Sequence, residues 1–528
     1  MISFSNLYSV VAKYGVTTDS RDCPPGSVFI ALHGENFDGN EFAYQALCNG
    51  CDYAIVDNRD VVEKTASTAG NDFMTQGKQF FVVPDTLQAL KDIAREHRRQ
   101  FDIPVIAITG TNGKTTTKEL IRAVLSEKYN VLATEGNYNN DVGVPKTLLR
   151  LTKEHEIAII EMGASHPGDI KTLAETAEPT CGIITNVGRA HLQGFGSFEG
   201  VCKTKGELYD YLRTRENGLV FVNADNEYLL DMLEDSETSE TSDLRPQTTD
   251  NRQQTSDLRP QTTDYRPQTS NQLWITPYST DPEKQYTCIS GEIIRENTPL
   301  SLGEGSGVGY NPLLKLRWRR PLMDLEESGA SQKWHKVQTQ LIGDYNIDNV
   351  MAAIAVGINF GVDRKSICHA IESYKPTNNR SQLMDTAKNR LIVDAYNANP
   401  TSMAAALENF LLLQPASGQE KMVILGDMLE LGPASIEEHQ KIVNMLQDAG
   451  MVYVWLVGHE FAAVLGDLQS VQGDLQSVQG DLQSPLPFRT FANVDEVKAE
   501  LQSNCPEGRL ILIKGSNGTR LHQLPPLL

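Results

Sequence analysis

"VIAITGTNGKTTTKEL", Val105 to Leu120, is the stretch on which the fold turns. A run of apolar and β-branched residues breaks at Gly110, a short polar loop follows, and a helical pattern begins at Lys114. Glycines at 110 and 113 let the backbone approach an anion closely, and successive N–H groups at the start of the helix face it. Lys114 can reach terminal phosphates and the Thr115 hydroxyl can serve Mg²⁺. The full Walker pattern asks for a glycine where Ile108 stands, so the motif is partial. A tight strand-to-helix turn with an ordinary exposed lysine is the plain alternative. The succession of strand, loop and helix favours phosphate.

Outward from this loop the same texture repeats. IAIIEM (Ile157 to Met162), GIITNV (Gly182 to Val187) and LVFVNA (Leu219 to Ala224) are near-continuous apolar runs, as parallel strands buried on both faces require. Between Lys114 and Tyr129 the spacing places Leu120, Ile121, Val124 and Leu125 on one helical face. Parallel strands gather their C-terminal ends at a ligand crevice. Glu161 and His191 both follow such runs. Either alone reads as solvated or structural; together with Thr115 they suggest a shared metal–phosphate centre. After Pro376 the alternation restarts with RLIVDAY, MVILGD, YVWLVG and RLILIKG, a second α/β unit with its own sheet. Before Phe101, short runs such as YAIV (Tyr53 to Val56) and FFVV (Phe80 to Val83) alternate with turns. The expected boundaries are 1–101, 102–375 and 376–528.

Two segments break the pattern. TSDLRPQTTDNRQQ is followed by a near copy of itself, and GDLQSVQ recurs further on. These are read as flexible surface insertions at about 236–270 and 466–484.

A chain of 528 residues is too long for one core. Its formal charge of −21 leaves no basic surplus for nucleic acid, although a few local Lys and Arg can still hold a small anion. No apolar run approaches the ~18 residues of a membrane span, and MISFSNLYSV lacks the features of a signal peptide, so a cytoplasmic protein is expected. Cys48 and Cys51 form an isolated CxxC, without the second pair or histidine spacing of a metal site.

Six segments then carry a resemblance. GTNGKTT, GNYNNDVGVP (Gly136 to Pro145), EMGASHPGDI (Glu161 to Ile170), TNVGRAHLQGFGS (Thr185 to Ser197), GDYNIDN (Gly343 to Asn349) and DAYNANP (Asp394 to Pro400) together resemble the Mur ligases, ATP-dependent amide-bond ligases of peptidoglycan precursor synthesis. TTDSRDCPPGSVFIALHGENFDGNEF (Thr17 to Phe42), HLQGFGSFEGVCKTKGEL and GDMLELG (Gly426 to Gly432) look most like the member that adds D-alanyl-D-alanine to UDP-N-acetylmuramoyl-tripeptide. The resemblance implies an α/β fold of three domains: a small α/β uridine-nucleotide domain, a central P-loop ATPase-like parallel sheet and a C-terminal Rossmann-like α/β domain. It implies a monomeric cytoplasmic ligase of cell-wall biogenesis, and so of cell shape and division. Its partners would be the UDP-tripeptide and the dipeptide, and its cofactors ATP and Mg²⁺, two ions by family pattern.

Roles follow by the same resemblance. Gly110, Thr111, Asn112, Gly113, Lys114, Thr115 and Thr116 would cradle the nucleotide, with Asn346, Arg380 and Asp394 also touching it. Lys114, His191, Lys205 and Arg380 would act in catalysis, and Thr115, Glu161, His191 and Lys205 would hold metal. Lys205 lies where the family carries a carbamylated lysine, and Lys203 is its near competitor in CKTKGE. Tyr345 stands where the family often has histidine. Ser20, Arg21, Asn139, Asn140, Asp141, Tyr396, Asn397, Asn399 and Lys514 would border the substrates. Helix capping explains Asn349 as readily, and a plain turn explains Asn399. Three alternatives stand beside this reading. A P-loop kinase or GTPase lacks its motifs here. A related ligase would add a single amino acid to the dipeptide precursor, or glutamate to folate. The third is a non-catalytic nucleotide-binding scaffold.

Overall fold

Three parallel-based sheets, one after another along the chain, carry the architecture. The computed structural model describes residues 4–34, 36–69, 78–233, 273–281, 288–294, 313–320, 334–376, 380–413, 415, 419–466 and 488–528. Most of the segments expected to be insertions, at about 236–270 and 466–484, lies outside these.

The first sheet has four parallel strands in the order Val16–Thr17, Val28–Ile30, Tyr53–Val56, Gln79–Val82. The second has nine strands, ordered His335–Ile342, Leu313–Arg319, Ile289–Ile293, Trp274–Ser279, Leu219–Asn223, Cys181–Ile184, Val105–Thr109, Ile157–Glu161, Val131–Ala133. Leu313–Arg319 is antiparallel to both of its neighbours, and the other eight strands run in one direction. The third has six strands, ordered Gln382–Asp385, Arg390–Asp394, Arg509–Lys514, Glu420–Gly426, Tyr453–Val457, Phe488–Phe491, with only the first antiparallel to its neighbour. The apolar runs at Val105, Ile157, Cys181 and Leu219 are thus parallel strands, as expected. The edge strands Gln382–Asp385 and Phe488–Phe491 carried no such run.

The strand period of two explains why the Val105–Thr109 segment is apolar throughout. Ile106 and Ile108 face one layer, with Leu120, Ile121, Val124 and Leu125 of the helix Lys114–Ser126. Val105 and Ala107 face the other, with Leu173, Leu208 and Leu212. Each fully buried Leu or Ile contributes roughly 1.5–3 kcal/mol, so both layers matter. The helix Ile347–Asn359 is buried nearly all round and fills the first layer. From Val105–Thr109 the chain passes outward on one side and later returns on the other, at Cys181–Ile184. This reversal opens the crevice in which the glycine loop lies.

Candidate active site

The loop after Thr109 is held open by its own backbone. Gly110 has φ 137° and Gly113 φ 78°, both on the side of the map that L side chains rarely occupy. A Cβ on Gly110 would lie 2.0 Å from Thr185 Oγ1, and one on Gly113 would lie 2.4 Å from Asn349 Oδ1. The TNVG segment forms the back wall. Asn112 N donates to Asn186 Oδ1 at 2.9 Å, Thr185 Oγ1 donates to Asn112 O at 2.6 Å, and Gly188 N donates to Thr111 Oγ1 at 2.9 Å. Gly113 caps the helix Lys114–Ser126 with no side-chain hydrogen bond, so an anion can accept from its first turn, where Thr116 also sits. Lys114 Nζ meanwhile donates to Gly110 O at 2.7 Å and Thr111 O at 3.1 Å. Burial pushes that ammonium down to about 8, opposed by Glu161 and reinforced by Arg380.

Thr115, at the start of the helix Lys114–Ser126, meets Glu161, at the end of the strand Ile157–Glu161. The Thr115 hydroxyl lies 3.1 and 3.0 Å from the two Glu161 carboxylate oxygens, and Asn139 Nδ2 donates to Oε1 at 2.9 Å. Lys118, one helical turn beyond Lys114, is fully buried. Its Nζ donates to Thr134 O at 2.6 Å and stands 3.6 Å from Glu161 Oε2. A buried carboxylate demands such compensation. The spacing from Lys114 was the available signal for Lys118, and it was missed.

His191 and Lys205 each lie within electrostatic reach of Lys114 and of one another. His191 has φ 50°, and its Nδ1 is hydrogen bonded to Glu430 Oε2 of the third domain. Burial holds its imidazole below the usual range against the pull of Glu430, with Lys114 adding to the depression. Lys205 is buried in the helix Phe198–Arg213, while Lys203 is exposed, so burial distinguishes the two lysines. Burial and the nearby Lys114 push the Lys205 ammonium down to about 7. It lies 5.5 Å from the Phe195 ring centroid, with no hydrogen-bond partner among the described residues. No group of three or more His, Cys, Asp and Glu stands ready for a metal among the described residues. The hydroxyl–carboxylate pair Thr115–Glu161 nevertheless suits Mg²⁺, which keeps several waters and takes one or two carboxylates plus phosphate oxygens. His191 and Lys205 join this region through their electrostatic contact with Lys114.

The third domain supplies the opposite wall. Parallel register puts Asp394 beside Lys514, and their side chains pair at 2.5 Å. Lys514 is 1% exposed and is held inward by Asp394. Arg380 stacks on Tyr396, 3.8 Å from its ring centroid, and the buried Arg380 Nε has no hydrogen-bond partner among the described residues. Thr115, Asn137, Arg380, Tyr396, Asn517 and His522 line a cleft of about 310 Å³. Asn399 caps the helix Pro400–Leu412 and exchanges hydrogen bonds with Asn112, the shorter at 2.7 Å, so its turn also joins the domains. Asn397 Oδ1 accepts from Ala398 N at 2.9 Å. A second cleft of about 380 Å³ runs past Arg189, Pro400 and Lys441, but there Glu438 already pairs with both Arg189 and Lys441.

Other expected residues lie apart from the cleft. Asn346 is buried: its Nδ2 donates to Ile342 O at 2.7 Å and its Oδ1 accepts from Asn349 at 2.8 Å. Asn349 in turn accepts from Thr117 at 2.9 Å, so the two asparagines support the loop from behind. Arg21 is exposed and pairs with Asp19 at 2.8 Å, while the Ser20 carbonyl accepts from Asn49 Nδ2 at 2.7 Å. Asn140 Oδ1 accepts from Gly143 N, and Asp141 stands 3.8 Å from Lys91. Cys51 is buried beside Ser27 and Cys48 is exposed; both are free thiols. Glu430, Asn517 and His522 approach the loop only through the domain arrangement. Of these, only Glu430 fell in a quoted motif, and none was read as a site residue.

Comparison with known proteins matches three family models in order: the Mur ligase family catalytic domain over residues 13–98, the Mur ligase middle domain over 108–280, and the Mur ligase glutamate ligase domain over 379–517. The UDP-N-acetylmuramoyl-tripeptide–D-alanyl-D-alanine ligase of Escherichia coli is 31% identical over 451 residues, 85% of this chain and 82% of that protein. The Bacillus subtilis protein of the same name is 30% identical over 98% of this chain and 93% of its own length. Among solved structures, MurF from Acinetobacter baumannii is similar at a TM-score of 0.72 and 27% identity, covering 96% of this chain and 92% of that one.

Proposed function

We propose, from the premise that this chain belongs to the Mur ligase family, that it joins D-alanyl-D-alanine to UDP-N-acetylmuramoyl-tripeptide with conversion of ATP to ADP and phosphate. The observation that carries the reading is the convergence on one crevice of an uncapped glycine loop, the Thr115–Glu161 pair and the third-domain residues Arg380 and Tyr396. A carboxylate of the tripeptide would attack the γ-phosphate, and the dipeptide amine would then displace phosphate from the acyl phosphate.

The protein's part is positioning and charge stabilisation. Loop N–H groups and Lys114 would hold the phosphates, with Lys114 turning from Gly110 O to the transferring group. Arg380, whose buried Nε is unmatched among the described residues, would meet the same phosphate when the domains close. Mg²⁺, held by Thr115, Glu161, His191 and Lys205, would neutralise phosphate charge when bound. Asp394, paired with Lys514, would touch the nucleotide, and Lys514 would border the substrate. Ser20, Arg21 and Asn139 to Asp141 would border the UDP-tripeptide, and Tyr396, Asn397 and Asn399 the dipeptide. Apposed domains exclude water, which would otherwise hydrolyse the acyl phosphate.

The test is phosphate release by the purified protein. Turnover that needs ATP, tripeptide precursor and dipeptide together is expected. Turnover with a single amino acid in place of the dipeptide would reassign the enzyme within the family, and no turnover with any set would leave a binding scaffold.

Lys205 is proposed to carry a carbamate. An enclosed amine beside Lys114, without a hydrogen-bond partner among the described residues, gains by becoming an anion that can hold a cation. With ¹³C-bicarbonate, a carbamate carbon signal is expected in the NMR spectrum, and it should vanish in Lys205→Ala. Its absence from the unaltered protein would remove the modification from the reading. The proposed setting is the cytoplasm and the proposed state a monomer. Eight free cysteines, matching all eight in the chain, support a reducing compartment. No described helix is long and apolar enough to cross a membrane.

A further inference from the structure

The loop Asp427–Leu431 is built more rigidly than an ordinary turn. Asp427 accepts from Glu460 N and Phe461 N, both at 3.1 Å. Met428 N donates to His439 Nε2 at 3.0 Å, and Leu429 N donates to Ser516 Oγ at 3.0 Å. His439 is wholly buried; its Nδ1 bonds Ser435 O at 2.8 Å and its ring meets Phe461 edge-on. Met428 and Leu431 anchor the loop in the core of the third domain. At its tip stands Glu430 with φ 64°, and its carboxylate meets His191 Nδ1 in the middle domain. His191 has a positive φ of its own, 50°. Two non-glycine residues in left-handed backbone thus hold each other across a domain boundary.

An exposed ion pair alone contributes little to stability. Strained backbone persists only where the surroundings over-determine it, and such residues cluster at functional sites. A carboxylate can only accept, so the imidazole donates from Nδ1 and presents its Nε2 lone pair. Metal-binding histidines are commonly set in this way by a carboxylate on the other ring nitrogen.

We infer that Glu430 is a positioning residue that orients His191 as a metal ligand, so that the metal centre of the middle domain is completed by the third domain. Metal affinity and domain closure are then coupled. Metal draws the third domain down, and an open molecule has a mis-set ligand. The inference rests on the metal centre proposed above.

The test is Mn²⁺ titration, followed by electron paramagnetic resonance, of the full chain saturated with a non-hydrolysable ATP analogue. Glu430→Ala is expected to weaken Mn²⁺ binding about 10- to 100-fold, the loss typical when such a carboxylate is removed. Glu430→Gln keeps an acceptor oxygen and should restore most of the affinity. Glu438→Ala removes another contact across the same boundary, Arg189–Glu438 at 3.1 Å, and should leave Mn²⁺ affinity within about twofold. Unchanged Mn²⁺ affinity in Glu430→Ala, or an equal loss in Glu438→Ala, would overturn the inference and leave the metal centre standing. Failure of the unaltered enzyme to bind Mn²⁺ would remove the centre and the inference together.

Discussion

Lys114→Ala is expected to lower kcat by about 10²–10³-fold, the cost of removing one donor aimed at charge that develops in the transition state. The ammonium is enclosed by the loop, bonded to Gly110 O and Thr111 O, with its charge destabilised by burial. A nearby phosphate restores what burial takes away, and a low-dielectric setting strengthens that attraction. Alanine favours the helix that begins at this position, so the fold should survive. The melting temperature without nucleotide should move by no more than about 2–4 °C, the shift produced by ~1 kcal/mol in a domain of this size. The assay is dipeptide-dependent phosphate release at saturating ATP. Peptide bond formation at full speed would end the phosphate-loop reading.

Gly110→Ala should do broader damage. Its φ of 137° excludes an L side chain, and the added Cβ would lie 2.0 Å from Thr185 Oγ1, 3.0 Å from Thr185 N and 3.1 Å from Asn186 O. Part of that clash is with backbone, which cannot rotate away. Strain and overpacking together should cost about 3 kcal/mol or more and splay the loop from the TNVG wall. Nucleotide affinity is expected to fall at least about 100-fold by calorimetric titration, as about 3 kcal/mol implies. Gly168→Ala is the matched control. Gly168 also has positive φ, 88°, but no described residue lies within 4 Å of its would-be Cβ. It should cost about 1 kcal/mol and leave nucleotide affinity intact. Equal losses in the two variants would show that conformation alone, and no contact with Thr185, makes glycine necessary at 110.

Much of the middle domain could be read directly. Val105–Thr109, Ile157–Glu161 and Leu219–Asn223 are near-continuous apolar runs, because helices cover both faces of a parallel sheet. The loop was legible because glycine spacing and helix onset are local. Lys118 was not, although it sits one turn from Lys114. A lysine looks solvent-facing until the fold encloses it, and only the strand bearing Glu161 and Thr134 does so. The edge strands Gln382–Asp385 and Phe488–Phe491 were passed over because they lack the apolar run of a doubly covered strand.

The chain's order of residues, on its own, determined the local devices: which runs are strands, where a backbone can meet phosphate, and which histidine, lysine and carboxylate follow strand ends. These depend on period, glycine placement and side-chain chemistry within a few residues. Which groups actually meet was decided by tertiary structure. It buried Lys205 and left Lys203 in water, turned Lys514 inward onto Asp394, set Asn346 behind the loop and brought Glu430 to His191 from another domain. Such choices come from burial and from contacts between residues hundreds of positions apart, whose energies exist only once the sheets have packed.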